Sequence, residues 1–331
     1  MDPSSPKLKQ FFTRLNDDGD FILKLSDNSL GVFQSCNRAA QYYIQQCRRS
    51  SKSGAALSYG DAWHKFQEIR TRCKSSDEQL WNLVGQVISK HFEDNPVDPD
   101  EWRTGEYLLE CAKKYHRQYT PELLETVKTP SSELMCELTF NLPLGTIEIN
   151  GPMYLDRKSA SGPTDYVRTI FVEWNGRIDD IINLDGMYWV RDYKTTSMGG
   201  PTYFEEFKMA GQPVGYAWAA KTLAPQLPVS GFMLDCAIMR KPTKTGKGTK
   251  FQRQRYPYSQ EKLDEWQANT MSLIGDMVAN FRANDFPMRT KSCVGKYGKC
   301  AYFDVCTLPL RFRQDFLMGP DYGDCLEKTP E

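Results

Sequence analysis

The sequence predicts a single α/β domain with a helical N-terminal elaboration. Three observations carry that prediction: helix-forming segments fill the first third of the chain, β-rich runs take over from about residue 133, and a long helix follows the last strand. The 331 residues are 40% apolar and 12% aromatic, enough for a sizeable core. No apolar run approaches the ~18 residues a membrane span needs. Residues 1–15 offer only Phe11-Phe12 as an apolar core, so neither a signal peptide nor a membrane is expected and the chain reads as cytoplasmic.

Taken in order, residues 1–27 are polar and are expected to form an irregular extension. A helix is expected over 29–48. A second starts at Ser58, where Ser58-x-x-Asp61 has the capping-box pattern, and runs to about Arg72. Two more are expected near 77–93 and 99–118. The latter takes Asp98 as N-cap and Pro99 in its first turn, with cations late, as the helix dipole prefers. Strands are expected over 137–140, 169–174, 177–184, 187–195 and 230–239. One helix over 205–223, opened near Pro213, and another over 259–284 complete the pattern. The implied boundaries are an extension (1–27), one domain (28–318) and a flexible tail (319–331). Within the domain lie a helical elaboration (55–130), a sheet core (131–258) and a C-terminal helix with a cysteine-rich segment (259–310).

The most informative stretch is GRIDDIINLDGMYWVRDYKT, residues 176–195. Asp185-Gly186 between two β-rich runs signals a two-residue hairpin, because a type I′ turn needs positive φ at both positions. Centring the hairpin there sets Leu184 opposite Met187 and, counting back, Asp179 opposite Asp192. Lys194, two residues on, shares that face. On the other face Asp180 falls opposite Arg191, an ordinary cross-strand ion pair. Asp179 instead meets a second carboxylate, and like charges directly opposite destabilise a sheet. A divalent cation such as magnesium or manganese relieves that repulsion, since it favours carboxylate oxygens, water and phosphates.

Gly-Arg-Ile-Asp (176–179) followed by Asp-Tyr-Lys-Thr (192–195) resembles the catalytic core of RecB-like PD-(D/E)XK nucleases, a family that includes the AddB nuclease domain, CRISPR adaptation exonucleases and phage exonucleases. Further features match in order over residues 28–310: Gly60-x-x-x-His64, Glu137, and Gln212-x-x-x-Tyr216. The resemblance implies a restriction-endonuclease-like core, a central mixed sheet flanked by helices. It implies metal ligation by His64, Asp179, Asp192 and the Tyr193 carbonyl, with Mg2+ or Mn2+ bound. Lys194 would position the attacking water, while Gln212 and Tyr216 would line the DNA path or brace Lys194. Outside this context His64 reads as a structural helix histidine and Tyr216 as core packing. The acid at the third position of the family motif is Asp192 rather than Glu.

Of ten cysteines, Cys293-x6-Cys300-x5-Cys306 form a cluster near the C-terminus, while Cys36 lies in the first helical segment. Zinc sites usually pair cysteines two to four residues apart, which this spacing does not do. One cysteine before the core and three after it resemble the iron–sulfur staple of RecB-like nucleases. That implies a [4Fe–4S] cluster on Cys36, Cys293, Cys300 and Cys306, closing a loop around the whole core. The x6 spacing departs from the tighter one usual in the CRISPR-associated branch.

The net charge is zero, 42 basic against 42 acidic residues, so global charge announces no nucleic-acid binder. Locally, residues 240–255 carry Arg240, Lys241, Lys244, Lys247, Lys250, Arg253 and Arg255 and no acid. A solvated hairpin and a phosphate-tracking arm account for this equally well. Beside a nuclease core, the second reading makes these seven the nucleic-acid-binding set. The function expected is that of a metal-dependent DNA nuclease, an exonuclease of single- or double-stranded DNA in recombination, repair or phage DNA processing. The alternatives are a non-catalytic DNA-binding module and a structural subunit of a helicase–nuclease complex. Intact Asp179, Asp192 and Lys194 speak against a mere binder. No Gly-rich phosphate loop is present, so any ATP-driven helicase or recombination partner is another chain. Ring-forming relatives leave a homo-oligomer open.

Overall fold

The computed structural model describes residues 11–15, 20–51, 54–73, 76–151, 167–243, 248–295 and 298–324. In chain order its strands are β1 (Phe12–Arg14), β2 (Phe21–Leu25), β3 (Arg48–Ser50), β4 (Glu125–Thr126), β5 (Cys136–Asn150), β6 (Val167–Leu184), β7 (Met187–Thr196), β8 (Val229–Ile238), β9 (Lys250–Pro257), β10 (Val294–Gly295), β11 (Gly298–Lys299) and β12 (Tyr322–Asp324). Its helices are α1 (Asp27–Ser35), α2 (Asn37–Ala40), α3 (Ala55–Arg72), α4 (Asp77–Asp94), α5 (Gly105–Gln118), α6 (Pro201–Met209), α7 (Gly211–Leu223), α8 (Gln260–Ala283), α9 (Phe303–Thr307) and α10 (Leu310–Leu317). The chain divides into two compact units. One comprises Met1–Lys52, Asn141–Gly176 and Gln267–Glu331, the other Ser53–Phe140 and Arg177–Trp266. The fold is mixed α/β, with mixed sheet flanked by helices.

In the first unit β1 is antiparallel to β2, and β2 runs parallel to the first half of β6, from Phe21 opposite Ile170 to Leu25 opposite Trp174. The expectation of an irregular N-terminus is corrected here. Phe21, Leu23 and Leu25 are buried in alternation, and a run this short becomes a strand only because β6 supplies its backbone partner. Ser26 rather than Ser29 opens the first helix: its hydroxyl accepts from the Ser29 amide while its own amide donates to Ser29 Oγ. The single helix expected over 29–48 is broken at Cys36, whose backbone is extended. It continues as α2, a π-helical turn over Gln41–Gln45, and β3. The break is tertiary in origin. Cys36, Ala39 and Tyr42 bury against Tyr302, Val305, Leu317 and Tyr322. The tail expected to be flexible from 319 is instead ordered to Asp324, because β12 pairs β3 (Tyr322 opposite Ser50). Residues 325–331 lie outside the described residues.

In the second unit α3, α4 and α5 bury Trp63, Phe66, Val84, Leu108 and Tyr115 against Tyr193 and Ala237 of the sheet. Each such side chain contributes ~1.5–3 kcal/mol by leaving water. Two expected helix starts move. Ser58 is inside α3, where its hydroxyl meets His91 Nε2 at 3.1 Å rather than capping. The Asp98 carboxylate accepts from the Asp100 amide (2.9 Å), a local turn, so α5 begins after Thr104, whose side chain accepts from the Tyr107 amide. In the sheet, β4 and β7 flank the second half of β6, both antiparallel to it; β8 is parallel to β7, and β9 is antiparallel to β8. The strands expected separately at 169–174 and 177–184 are one strand, β6. The helix expected over 205–223 is split at Ala210, ahead of Pro213. Proline has no N–H to donate, so it sits in the first turn of α7, where none is required. Among the described residues, no helix is long and apolar enough to cross a membrane.

Candidate active site

The β6–β7 hairpin has the turn and register its sequence predicts. Asp185 and Gly186 take φ of +53° and +81°, and paired residues run from Leu184–Met187 back to Asp180–Arg191. On one face Arg191 Nε donates to Asp180 Oδ2 (3.1 Å), with both side chains buried. Asp179 and Asp192 are the next positions along, and there the ladder gives way. The Tyr193 amide donates to Asp179 Oδ2 at 2.9 Å, a side-chain acceptor in place of a strand partner.

Four elements bring functional groups to this end of the hairpin. On α3, a Cβ added at Gly60 would stand only 3.6 Å from Thr195 Oγ1 of β7, so the helix lies close to the strand. One turn on, His64 Nδ1 lies 3.1 Å from Asp179 Oδ2. On β5, Glu137 has a left-handed φ of +56°, uncommon for a residue with a Cβ. Its Oε2 is 2.9 Å from Arg177 Nε. The ligand atoms of His64, Glu137 and Asp179 all lie within 4.8 Å of one another. On β7, Lys194 Nζ reaches Asp192 Oδ2 and Oδ1 at 2.6 and 2.8 Å. On α7, Gln212 Nε2 donates to the Tyr216 hydroxyl (3.3 Å), whose ring packs edge-on to Phe140.

Burial and charge tune these groups against one another. Burial and the Asp179 charge push the Glu137 carboxyl up to about 7, against Arg177. Burial also raises Asp179, but His64, Lys194 and the Tyr193 amide outweigh it and hold this acid low. Asp192 is raised by burial and by Asp179, against Lys194. Burial opposes the charge on Lys194, yet Asp192 and Asp179 keep its ammonium protonated. Burial and Asp192 push the Tyr216 hydroxyl up to about 12, leaving it a proton donor. The oxygen-rich set with one imidazole fits a hard divalent cation such as Mg2+ or Mn2+ better than a thiolate-seeking metal.

The hairpin was legible in the sequence; the part played by Glu137 was not. The expected metal set was His64, Asp179, Asp192 and the Tyr193 carbonyl. The tight trio instead contains Glu137, while the Asp192 carboxylate is engaged by Lys194. Apart from the resemblance, nothing local marks Glu137, because its ion pair with Arg177 and its grouping with His64 and Asp179 arise only in the folded chain.

The basic stretch is mostly strand β9 and its approach. Arg240, Lys241, Lys250 and Arg255 are exposed, with Arg255 stacked 5.6 Å over Trp189. Arg253 departs from the expected phosphate-contacting role. Its guanidinium is bound to Asp235 (2.8 Å) and Glu122 (2.7 and 2.9 Å), a structural cation inside the unit. Lys244 and Lys247 lie outside the described residues.

The four expected iron–sulfur cysteines share one neighbourhood in the first unit. Cys36 belongs to the buried cluster against which Cys300 and Cys306 pack. The Arg289 amide donates to Cys36 Sγ (3.4 Å), the Tyr302 amide to Cys300 Sγ (3.5 Å), and the Cys300 amide to the Cys293 carbonyl (2.8 Å). Burial, and then the charges of Cys36 and Cys293, push the Cys300 thiol up.

Acids, a histidine and a lysine gathered at one end of a hairpin in a mixed sheet make a set suited to metal-assisted hydrolysis. The chain belongs to the PD-(D/E)XK nuclease superfamily, whose family model matches residues 24–307. Among solved structures it is similar to a "Putative exonuclease" from Eubacterium rectale. That likeness covers 87% of this chain and 89% of that one, at 10% identity and a TM-score of 0.45. No curated protein matches the sequence.

Proposed function

We propose that this nuclease is a divalent-cation-dependent DNA exonuclease of the RecB-like branch, acting in recombination, repair or phage DNA processing. The observation that carries this reading is the grouping of His64, Glu137 and Asp179 within 4.8 Å, beside the Lys194–Asp192 pair. These three residues, with Asp192 and the Tyr193 carbonyl close by, would hold Mg2+ or Mn2+. Such a cation acidifies a bound water and offsets charge on the phosphate. Lys194 orients the water, with its ammonium aimed at the charge that builds on phosphorus-bound oxygen. The water oxygen bonds to phosphorus as its proton passes to solvent, and the ester oxygen leaves with the electron pair of the broken P–O bond and takes up a proton from water. Tyr216, held by Gln212, braces the lysine or borders the DNA path, and exposed Arg240, Lys241, Lys250 and Arg255 track the backbone.

The gathering of Cys36, Cys300 and Cys306 in one packed cluster, with the Cys300 amide hydrogen-bonded to the Cys293 carbonyl, supports a [4Fe–4S] staple on these thiols. Backbone amides directed at Cys36 and Cys300 sulfur would hydrogen-bond cluster thiolates once formed.

End-labelled single- and double-stranded DNA, incubated with Mg2+, Mn2+ or EDTA, tests the reading. Cation-dependent loss of label from ends, with circular DNA spared, is the expected result. Cutting of circles would make it an endonuclease, and no cutting by any metal-loaded preparation would remove the catalytic reading.

A further inference from the structure

We infer that Arg177 is a substrate-phosphate contact of this active site, held in place by Glu137; the inference rests on the DNA nuclease reading. Arg177 precedes Asp179 by two residues on β6, so it projects from the same face. Unlike Asp179, which is buried, its side chain is 48% exposed. Among the described residues its one ion pair is through Nε to Glu137 Oε2, at 2.9 Å. Both Nη groups, the edge of the guanidinium suited to bidentate phosphate contact, have no protein partner among the described residues.

The surrounding charges set its role. Asp179, Asp192 and Glu137 concentrate carboxylate at the site where a polyanion must dock. Lys194 pairs with Asp192 and His64 with Asp179. Arg177 adds a further cation at this end of the hairpin, with nitrogens that no partner takes up among the described residues. Glu137 serves two partners, since the same carboxyl belongs to the grouping with His64 and Asp179. It therefore fixes the guanidinium beside the reacting phosphate rather than letting a long side chain roam. A free arginine would lose more rotamer entropy on binding.

The test is DNA affinity against salt concentration, measured in EDTA so that nothing is cut. Wild type, Arg177→Ala, Arg177→Lys and the control Arg117→Ala, an exposed cation on α5, are compared. Loss of one phosphate contact should lower the slope of log affinity against log salt by about 1 in Arg177→Ala. Arg177→Lys should keep most of that slope, because it keeps the charge, and Arg117→Ala should keep all of it. In cleavage with Mg2+, Arg177→Ala should raise KM more than it lowers kcat. An unchanged slope in a folded Arg177→Ala protein, or equal losses in Arg177→Ala and Arg117→Ala, would overturn the assignment while leaving the nuclease reading intact. A wild type that neither binds nor cuts DNA would sink both.

Discussion

The Tyr193 amide donates to Asp179 Oδ2 at 2.9 Å, just past Asp180–Arg191, the last backbone pair of the β6–β7 hairpin. A side chain has replaced a ladder acceptor, so β7 parts from β6 where the acids gather while it stays paired to β8. The aspartate is thereby fixed on the tyrosine's own strand and presented, low in pKa, to His64.

Removing that carboxylate charge, or its neighbour's, should abolish cutting without unfolding the protein. Asp179→Asn and Asp192→Asn are expected to leave only background hydrolysis. Lys194→Ala should lose on the order of 10²–10³ in kcat. Asp192→Asn in EDTA relieves the repulsion with Asp179 but loses the charge paired with Lys194, so it should melt close to wild type. Added Mg2+ or Mn2+ should raise the wild-type Tm but not the variant's. Thermal scans with and without EDTA check this, and a large destabilisation of Asp192→Asn would contradict it.

Arg191 carries the opposite prediction. It is buried against Asp180, faces the Tyr193 ring at 5.0 Å and approaches Glu122 at 3.8 Å. Arg191→Met leaves the Asp180 carboxylate buried and unmatched, at a cost of about 3–5 kcal/mol. Urea unfolding should show it, and the double variant Asp180→Asn/Arg191→Met should recover part of the loss.

Acid should expose Glu122. Burial raises this carboxyl, but Arg253, Arg191 and Arg70 outweigh burial and hold it at about 2, against an ordinary 4.5. A depressed carboxyl contributes stability that is present above its unfolded pKa and lost as pH falls toward the folded one. Stability should thus drop between pH 4.5 and 2 in wild type. Glu122→Gln should be less stable at pH 7 and fall less steeply over that window, as read by urea midpoints across pH.

Cys36→Ser tests the staple. If the four thiols share a cluster, anaerobically purified wild type is brown and contains iron, while Cys36→Ser and Cys306→Ser lose both colour and iron. The variants should also melt lower, because the closed loop spans the core. A colourless wild type holding stoichiometric zinc would replace the cluster with a zinc site.

Much of the catalytic hairpin could be read from the chain alone. Asp185-Gly186 dictates the turn, the turn dictates the register, and the register separates Asp180, with its arginine, from Asp179. The period-2 alternation does the rest, because neighbouring strands are local here and joined by two residues. The same reasoning failed where partners are distant. β2 looked irregular because its parallel neighbour lies ~150 residues on in sequence. A continuous helix over 29–48 is what the sequence suggests because the residues against which Cys36 buries, Tyr302, Val305 and Leu317, lie far along the chain. Arg253 looked like a DNA contact because Glu122 and Asp235 are not beside it in sequence.

What the sequence by itself determined was the chemistry available: two acids and a lysine on one face of a hairpin, with a histidine and a glutamate still to be placed. Tertiary structure alone decided which of them meet. It put Glu137 in a trio with His64 and Asp179 while Lys194 holds Asp192, and among the described residues it left the Arg177 Nη groups unengaged where Arg253 is bound to Asp235 and Glu122. The physical reason is that hydrogen bonds and turns act over a few residues, whereas desolvation and ion pairing depend on everything the folded chain brings within a few ångströms.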